Sequence, residues 1–274
     1  MSGKFHSFQV GGVECTVLFD GSSVIEIERF LRRFPDATEA EYRQAYAEIG
    51  LSLAEADSSF NVLLVQIGEE TILVDAGEGG QPQGGHLLES MKSADIKPDN
   101  ITLVVITHSH GDHVLGLLAD NQPVFPNARY VISNEELAFW QGRIEDGLSD
   151  QRRIINMMKE KGLRCIQMNE CIIPGMTAFS IPGHTPGQIG LLIESDGEQL
   201  FHLADLLHSP MQFAYPEWSA YFDVDTSLSV PTRKEALGHT ADENTLTLFY
   251  HLTFPGLGWV QRAKQGFIWK PLPI

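Results

Sequence analysis

Thr107-His108-Ser109-His110-Gly111-Asp112-His113 follows directly on the apolar run Ile101-Thr-Leu-Val-Val-Ile106. A short run of this kind, rich in β-branched residues, predicts a strand buried on both faces. It breaks off into three histidines and one aspartate, residue types whose nitrogen and oxygen atoms ligate zinc and related ions. Side chains alternate along an extended backbone, so His108 and His110 point the same way. Gly111 lets the chain turn, which brings Asp112 and His113 near the same point but not onto it. One strand tip can therefore serve two metal positions, with His108 and His110 at the first and Asp112 and His113 at the second. The alternative is a histidine-rich surface loop that binds nothing, and the position at the end of a buried strand argues against it.

The rest of the chain supplies what such a tip needs. Asn61–Ile67 and Thr71–Asp75 read as a hairpin whose second strand ends in Asp75. A carboxylate there is expected to accept hydrogen bonds from backbone or histidine behind the ligands. A helix over about 85–94 should follow, then a short helix from His113 to near Asn121 and a strand over Ala128–Ile132. Ser133-Asn-Glu-Glu136 has the form of a capping box opening a helix through about Trp140. Ser149 or Asp150 should open a second helix, Gln151 to Lys161, and short strands should fill 164–181. Pro182-Gly183-His184-Thr185-Pro186-Gly187-Gln188 is a turn presenting one histidine. Alone it reads as a solvent-facing residue; beside the first cluster, His184 is the third neutral ligand that His108 and His110 lack. The hairpin Ile189–Glu194 and Gln199–Leu203 delivers Asp205 at a strand end, placed to bridge two cations. His202, inside the strand, is expected to be packed, and His208 to line a pocket. The aromatics Phe213, Tyr215, Trp218, Tyr221 and Phe222 fit a core or a substrate wall equally well. A last helix over about 231–240 would hold Pro231 in its first turn, and Thr245–His251 alternates as a strand ending in a histidine.

At 43% hydrophobic and 20% charged, 274 residues have ample material for a core. No repeat, linker or low-complexity segment divides the chain, so one domain over 1–274 is expected, with a helical insertion at about 26–57 lying over it. No apolar run approaches the ~20 residues that span a bilayer, and the N-terminus lacks a charged region followed by an apolar stretch. Cys15, Cys165 and Cys171 form no CxxC pattern, which fits reduced, mostly structural thiols in a cytoplasm. The formal net charge of −17 argues against a nucleic-acid partner. Arg32-Arg33 and Arg152-Arg153 read as solvated helix faces.

Taken together, Thr107 to Gly116, the Gly183-His184-Thr185-Pro186-Gly187 turn, Asp205 and His251 make the chain resemble the metallo-β-lactamase fold superfamily from about residue 60 onward. The resemblance implies an α+β fold, a four-layered αβ/βα sandwich with two metals in a cleft at one edge of the sheets. It assigns His108, His110 and His184 to one metal, Asp112, His113 and His251 to the other, and Asp205 to both as the bridge. Phe222-Asp-Val-Asp225, Thr232-Arg233 and Phe249 to Gly258 are similar to the branch of methyl parathion hydrolase and its lactonase-like relatives. Leu252-Thr253 and Trp259 depart from that branch without touching a proposed ligand. The expected activity is hydrolysis of an ester-like bond in a small molecule (a lactone, aryl ester or phosphotriester) by a hydroxide shared between two divalent ions. Zinc is the first choice, with manganese, iron or cobalt possible at the same ligands, and Asp112 is the candidate proton carrier. An iron or manganese redox enzyme and a non-catalytic metal-binding protein are the alternatives. A homodimer is left open.

Overall fold

A computed structural model describes residues 3–24, 26–53, 57–81, 84–143 and 149–273. β1 (Phe5–Val10) and β2 (Val13–Val24) form one hairpin, and β3 (Asp57–Ile67) and β4 (Glu70–Val74) another. β5 (Leu103–Val105) lies parallel to β4 and is followed by a small ribbon of β6 (Leu118–Ala119) and β7 (Gln122–Pro123). β8 (Arg129–Ser133) and β9 (Leu163–Ile166) add in parallel, giving a seven-stranded sheet in the order β1-β2-β3-β4-β5-β8-β9. The second seven-stranded sheet runs in chain order. It comprises β10 (Cys171–Ile173), β11 (Met176–Ser180), β12 (Ile189–Ser195), β13 (Glu198–His202), β14 (Leu246–Leu248), β15 (Leu257–Arg262) and β16 (Phe267–Pro271). Only its β13–β14 pair is parallel.

The helices are α1 (Ile27–Arg33), α2 (Glu39–Glu48), α3 (Leu87–Ser93), α4 (Gly111–Val114), α5 (Asn134–Arg143), α6 (Ser149–Lys161), α7 (Met211–Ala214) and α8 (Thr226–Glu243). Strand periodicity explains how they and the sheets stack. Leu63, Val65, Ile72, Val74, Val105 and Val131 point inward and meet Met176, Leu191, Ile193, Leu200 and Leu248 of the second sheet. Their sequence neighbours Leu64, Leu73, Val104, Tyr130 and Ile132 point the other way, onto Met91 of α3, Trp140 of α5 and Ile154 and Met158 of α6. That two-sided burial is why these strands are apolar throughout rather than alternating. On the far side of the second sheet, Phe201 and Val260 pack with Leu237 of α8 and Phe213 of α7. The layers are thus helices, sheet, sheet, helix.

α1 and α2 fall within the 26–57 segment. Thr38 and Glu41 close a capping box at the start of α2. Phe30, Phe34, Tyr42 and Tyr46 form an aromatic cluster that packs on Met211 and Ala220. β3 starts at Asp57 rather than at Asn61, and β2, its neighbour, reaches Val24; residues 54–56 lie outside the described residues.

Three other expectations shift. α8 starts at Thr226, because Asp225 caps it by accepting from the Ser227 N–H at 2.9 Å, so Pro231 lies inside the helix. β14 stops at Leu248, and residues 249–251 leave the sheet. The helix after His113 is a single turn continued by a 3-10 turn, Leu115–Leu117. There Gly116 presses on the loop after β4, and a Cβ on it would lie 1.8 Å from the Ala76 carbonyl oxygen. Of the three thiols only Cys15 is packed; Cys165 and Cys171 are exposed, and all are free. Among the described residues no helix is long and apolar enough to cross a membrane.

The Gly116 contact yields a prediction. Gly116→Ala should lower stability by about 1–3 kcal/mol through overpacking, read as a lower urea midpoint with the same slope. An unchanged midpoint would mean the two loops are free to separate.

Candidate metal centre

The chain emerges from β4, β5, β11, β13 and β14 at one edge of the sandwich, and the segments that follow meet there. Thr107–His113 comes from β5, the 182–188 turn from β11, the 3-10 turn Ala204–Leu206 from β13 and Tyr250-His251 from β14. In the turn, Gly183 adopts φ +127, and a side chain on it would run into Ser229 of α8, 2.2 Å from an added Cβ. Glycine at that position lets His184 sit between α8 and the tip of β5.

All seven residues expected from the sequence come together. His110 Nδ1 lies 3.0 Å from His108 Nε2 and 2.8 Å from His184 Nε2. Asp205 Oδ2 is 3.4 Å from His184 Nε2 and 3.6 Å from His108 Nε2. On its other side Asp205 Oδ2 is 3.0 Å from His251 Nε2, and its Oδ1 is 3.1 Å from His113 Nε2. Asp112 Oδ2 lies 3.3 Å from His251 Nε2 and 3.8 Å from His113 Nε2. His108, His110, His184 and Asp205 form one group, and Asp112, His113, Asp205 and His251 a second, each with its ligand atoms within 4.8 Å of one another.

These atoms fit a pair of divalent cations better than they fit each other. His113 Nε2 and Asp205 Oδ1 are buried and face each other at 3.1 Å without forming a hydrogen bond, and neither has another hydrogen-bond partner among the described residues, which is costly unless something else binds them. Burial, reinforced by His113, holds His108 well below the usual histidine range, and burial with His184 pulls His110 down to about 3. Both are therefore neutral imidazoles, the form that binds metal. Nitrogen and carboxylate oxygen in this mixture suit zinc, iron, cobalt or manganese.

The far side of each ring is braced. His113 Nδ1 donates to Asp75 Oδ2 at 2.7 Å, and Asp75 also accepts from the Thr107 backbone and hydroxyl, the supporting role the sequence suggests. His251 Nδ1 meets Ser58 Oγ at 2.9 Å. His184 Nδ1 donates to Asp223 Oδ1 at 3.0 Å, and Asp223 Oδ2 accepts from Ser229 Oγ and from buried Arg233. Asp223 and Arg233 stand in the quoted tail segments, but spacing gave neither a role. Glu136 is a larger surprise. It is not a reciprocal capping partner: its N–H does donate to Ser133 Oγ, but its carboxylate turns inward. There it accepts from the Ser109 N–H at 2.9 Å, the Thr185 hydroxyl at 2.6 Å and the Trp140 indole at 2.5 Å. One buried carboxylate so ties the β5 tip to the His184 turn. No local signal distinguishes it from an ordinary cap.

A cavity of about 320 Å³ opens over the cluster, and His110, Asp112, His184, Asp205 and His251 reach its surface. His208 lines it, as expected, with Nε2 3.1 Å from Asp205 Oδ2. His202 is buried in β13, and neither ring nitrogen has a hydrogen-bond partner among the described residues. The aromatic stretch divides: Phe222 borders the cavity, Phe213 is core, and Tyr215 stacks on Trp218, which meets Tyr42 of the insertion. Tyr221 is 67% exposed and contributes to neither. Arg32 is solvated as expected, but Arg33 is not: it is half-buried and borders the cavity.

Residues 58–246 match the family model of the metallo-beta-lactamase superfamily, and the chain belongs to that superfamily. AidC, a dizinc quorum-quenching lactonase in complex with a product, N-hexanoyl-L-homoserine, shares the fold with a TM-score of 0.88 and 29% identity, covering 100% of this chain and 99% of AidC. The hydrolase AbOPH of the beta lactamase superfamily does so with a TM-score of 0.88, 25% identity and the same coverage of the two chains. An N-acyl homoserine lactonase of Bacillus cereus is 26% identical over 140 residues, 51% of this chain and 52% of that protein. The chain spans from 16% to 58% of the lengths of such curated relatives.

Removing a brace should act on the metal without touching a ligand. Asp75→Ala is expected to weaken metal affinity by about 10–100-fold, measured by competition with a chromophoric chelator. Unaltered affinity would show that His113 needs no carboxylate behind it.

Proposed function

We propose that this chain is a metal-dependent hydrolase that opens a lactone or a related small-molecule ester, with aryl esters and aryl phosphotriesters as adjacent substrate classes. The observation that carries this reading is that Asp205 belongs to both ligand groups. His108, His110 and His184 would hold one cation, Asp112, His113 and His251 the other, and Asp205 would bridge them. Two such ions, when bound, polarise a carbonyl or phosphoryl oxygen and activate water. AidC and the Bacillus cereus lactonase support the choice of a lactone. The acidic balance of 36 carboxylates against 19 Lys and Arg speaks against nucleic acid as substrate.

The protein's own groups divide the remaining work. Asp112 is 22% exposed at the cavity surface, so its carboxylate can take up a proton and pass it to a leaving group. The Tyr250 hydroxyl donates to the Asp112 carbonyl at 2.6 Å and fixes the turn that carries it. Phe60 and Phe222 offer apolar wall to the organic part of the substrate.

Reconstituted protein should bind two first-row metal ions per chain and hydrolyse an N-acyl homoserine lactone or an activated aryl ester. Chelation should abolish that turnover, and RNA should be left intact. Two dications 4 Å apart repel by about 16 kcal/mol at an effective dielectric of 20. Asp205→Ala should therefore empty both positions, whereas His184→Ala and His251→Ala should each deplete mainly their own. Metal analysis of the three variants decides the matter: two ions and near-normal turnover in Asp205→Ala would exclude the bridge, and efficient RNA cleavage would exclude the substrate class.

A further inference from the structure

α1 carries Arg29 and Arg33 one helical turn apart, and both border the cavity above the metal ligands. Phe30, between them in sequence, faces away into the aromatic cluster that holds the insertion in place. Elsewhere Arg43, Arg129, Arg153, Arg164, Arg233 and Arg262 each pair with a carboxylate. Arg29 and Arg33 have no ion pair or side-chain hydrogen bond among the described residues, although acidic residues outnumber basic ones almost two to one in this chain. Like charges spaced one turn apart repel, and a half-buried cation without a partner is costly. Burial and the neighbouring Arg29 accordingly push the Arg33 guanidinium below its usual range.

Asp112 and Glu78 at the same wall favour the Arg33 charge from a distance, but among the described residues neither forms an ion pair with it. Asp112 lies against His251 and His113. Glu78 makes no ion pair with either arginine, and its Oε2 is buried without a hydrogen-bond partner among the described residues. With two dications held by Asp112 and Asp205, the cavity keeps a net positive formal charge. A guanidinium presents paired N–H donors that match a carboxylate edge-on.

We propose that Arg29 and Arg33 form an anion-binding subsite that selects esters or lactones bearing a carboxylate away from the bond that is cleaved. This rests on the hydrolase reading of the same cavity. One carboxylate of a dicarboxylate can then occupy the metal side of the cavity while the other reaches the arginines; a monocarboxylate can do only one of these.

The test is calorimetric and needs no turnover. The metal-loaded full chain is titrated with dicarboxylates from succinate to suberate and with the unbranched monocarboxylates of the same lengths. At least one dicarboxylate should bind about tenfold or more tightly than its matched monocarboxylate, the scale of one charge-assisted hydrogen bond. Arg33→Gln and Arg29→Gln should each erode that preference, and the double variant should abolish it. Arg32→Gln, which removes the same charge from the exposed side of α1, should keep it. No preference in the unaltered protein, or one that survives in the double variant, overturns the subsite. So does an equal loss in Arg32→Gln, which would reduce the effect to net charge. A preference that behaves as expected in a protein that hydrolyses no ester would refute the hydrolase reading and leave the subsite standing.

Discussion

The carboxylate of Asp205 is the group on which the rest of the centre depends. It is 3% exposed and has five imidazoles around it, from His108, His113, His184, His208 and His251, all with a ring nitrogen within 3.6 Å. A lone carboxylate in such a place would be driven toward its neutral form. Burial does push it up, but His113, His251 and His108 more than reverse this and hold it well below the usual carboxylate range. The position is held by the backbone as well. Ala204, immediately before it, sits at φ 41, a left-handed conformation that alanine adopts only under constraint. The Leu203 N–H bond to the Leu248 carbonyl, at 2.9 Å, anchors the strand end just upstream. The parallel pairing of β13 with β14 thus brings Asp205 and His251 to the same edge.

Around this carboxylate, further buried acids act as braces rather than ligands. Asp75 holds His113, Asp223 holds His184, and Glu136 holds the two segments on which His108, His110 and His184 stand. Asp223 in turn leans on Arg233, which is 1% exposed and also donates to the Leu206 and Pro216 carbonyls. Breaking one partner of a buried pair of this kind typically costs about 3–5 kcal/mol, because the other charge is left without compensation. Each brace joins elements distant in sequence, so its loss would be felt in ligand geometry as well as in stability. The helical insertion packs through a separate aromatic cluster, and places the cationic side chains of Arg29 and Arg33 at a cavity that histidines, carboxylates and the rings of Phe60 and Phe222 also line.

How much of this was legible in the amino-acid sequence depends on the range over which each feature is determined. Period-2 burial and apolar runs mark β3, β4, β5 and β8, and the spacing His-x-His-x-Asp-His places four side chains about one strand tip by local geometry alone. Asp75 could be read as a support because it ends its strand beside that tip. His184 could be read only conditionally, since a lone histidine in a turn gains meaning from the vacancy beside two others. Glu136, Asp223 and Arg33 carry no such signal. Each belongs locally to a pattern with an ordinary explanation: a helix cap, a loop acid and a solvated arginine. What they do is set by groups that lie 27 to 49 residues from Glu136, 39 from Asp223, and well downstream of Arg33. Strand spacing therefore determined which atoms can converge at one tip. Only the stacking of the two sheets, with the insertion laid across their edge, decided which buried charges face one another, because burial and Coulomb energy depend on distance in space.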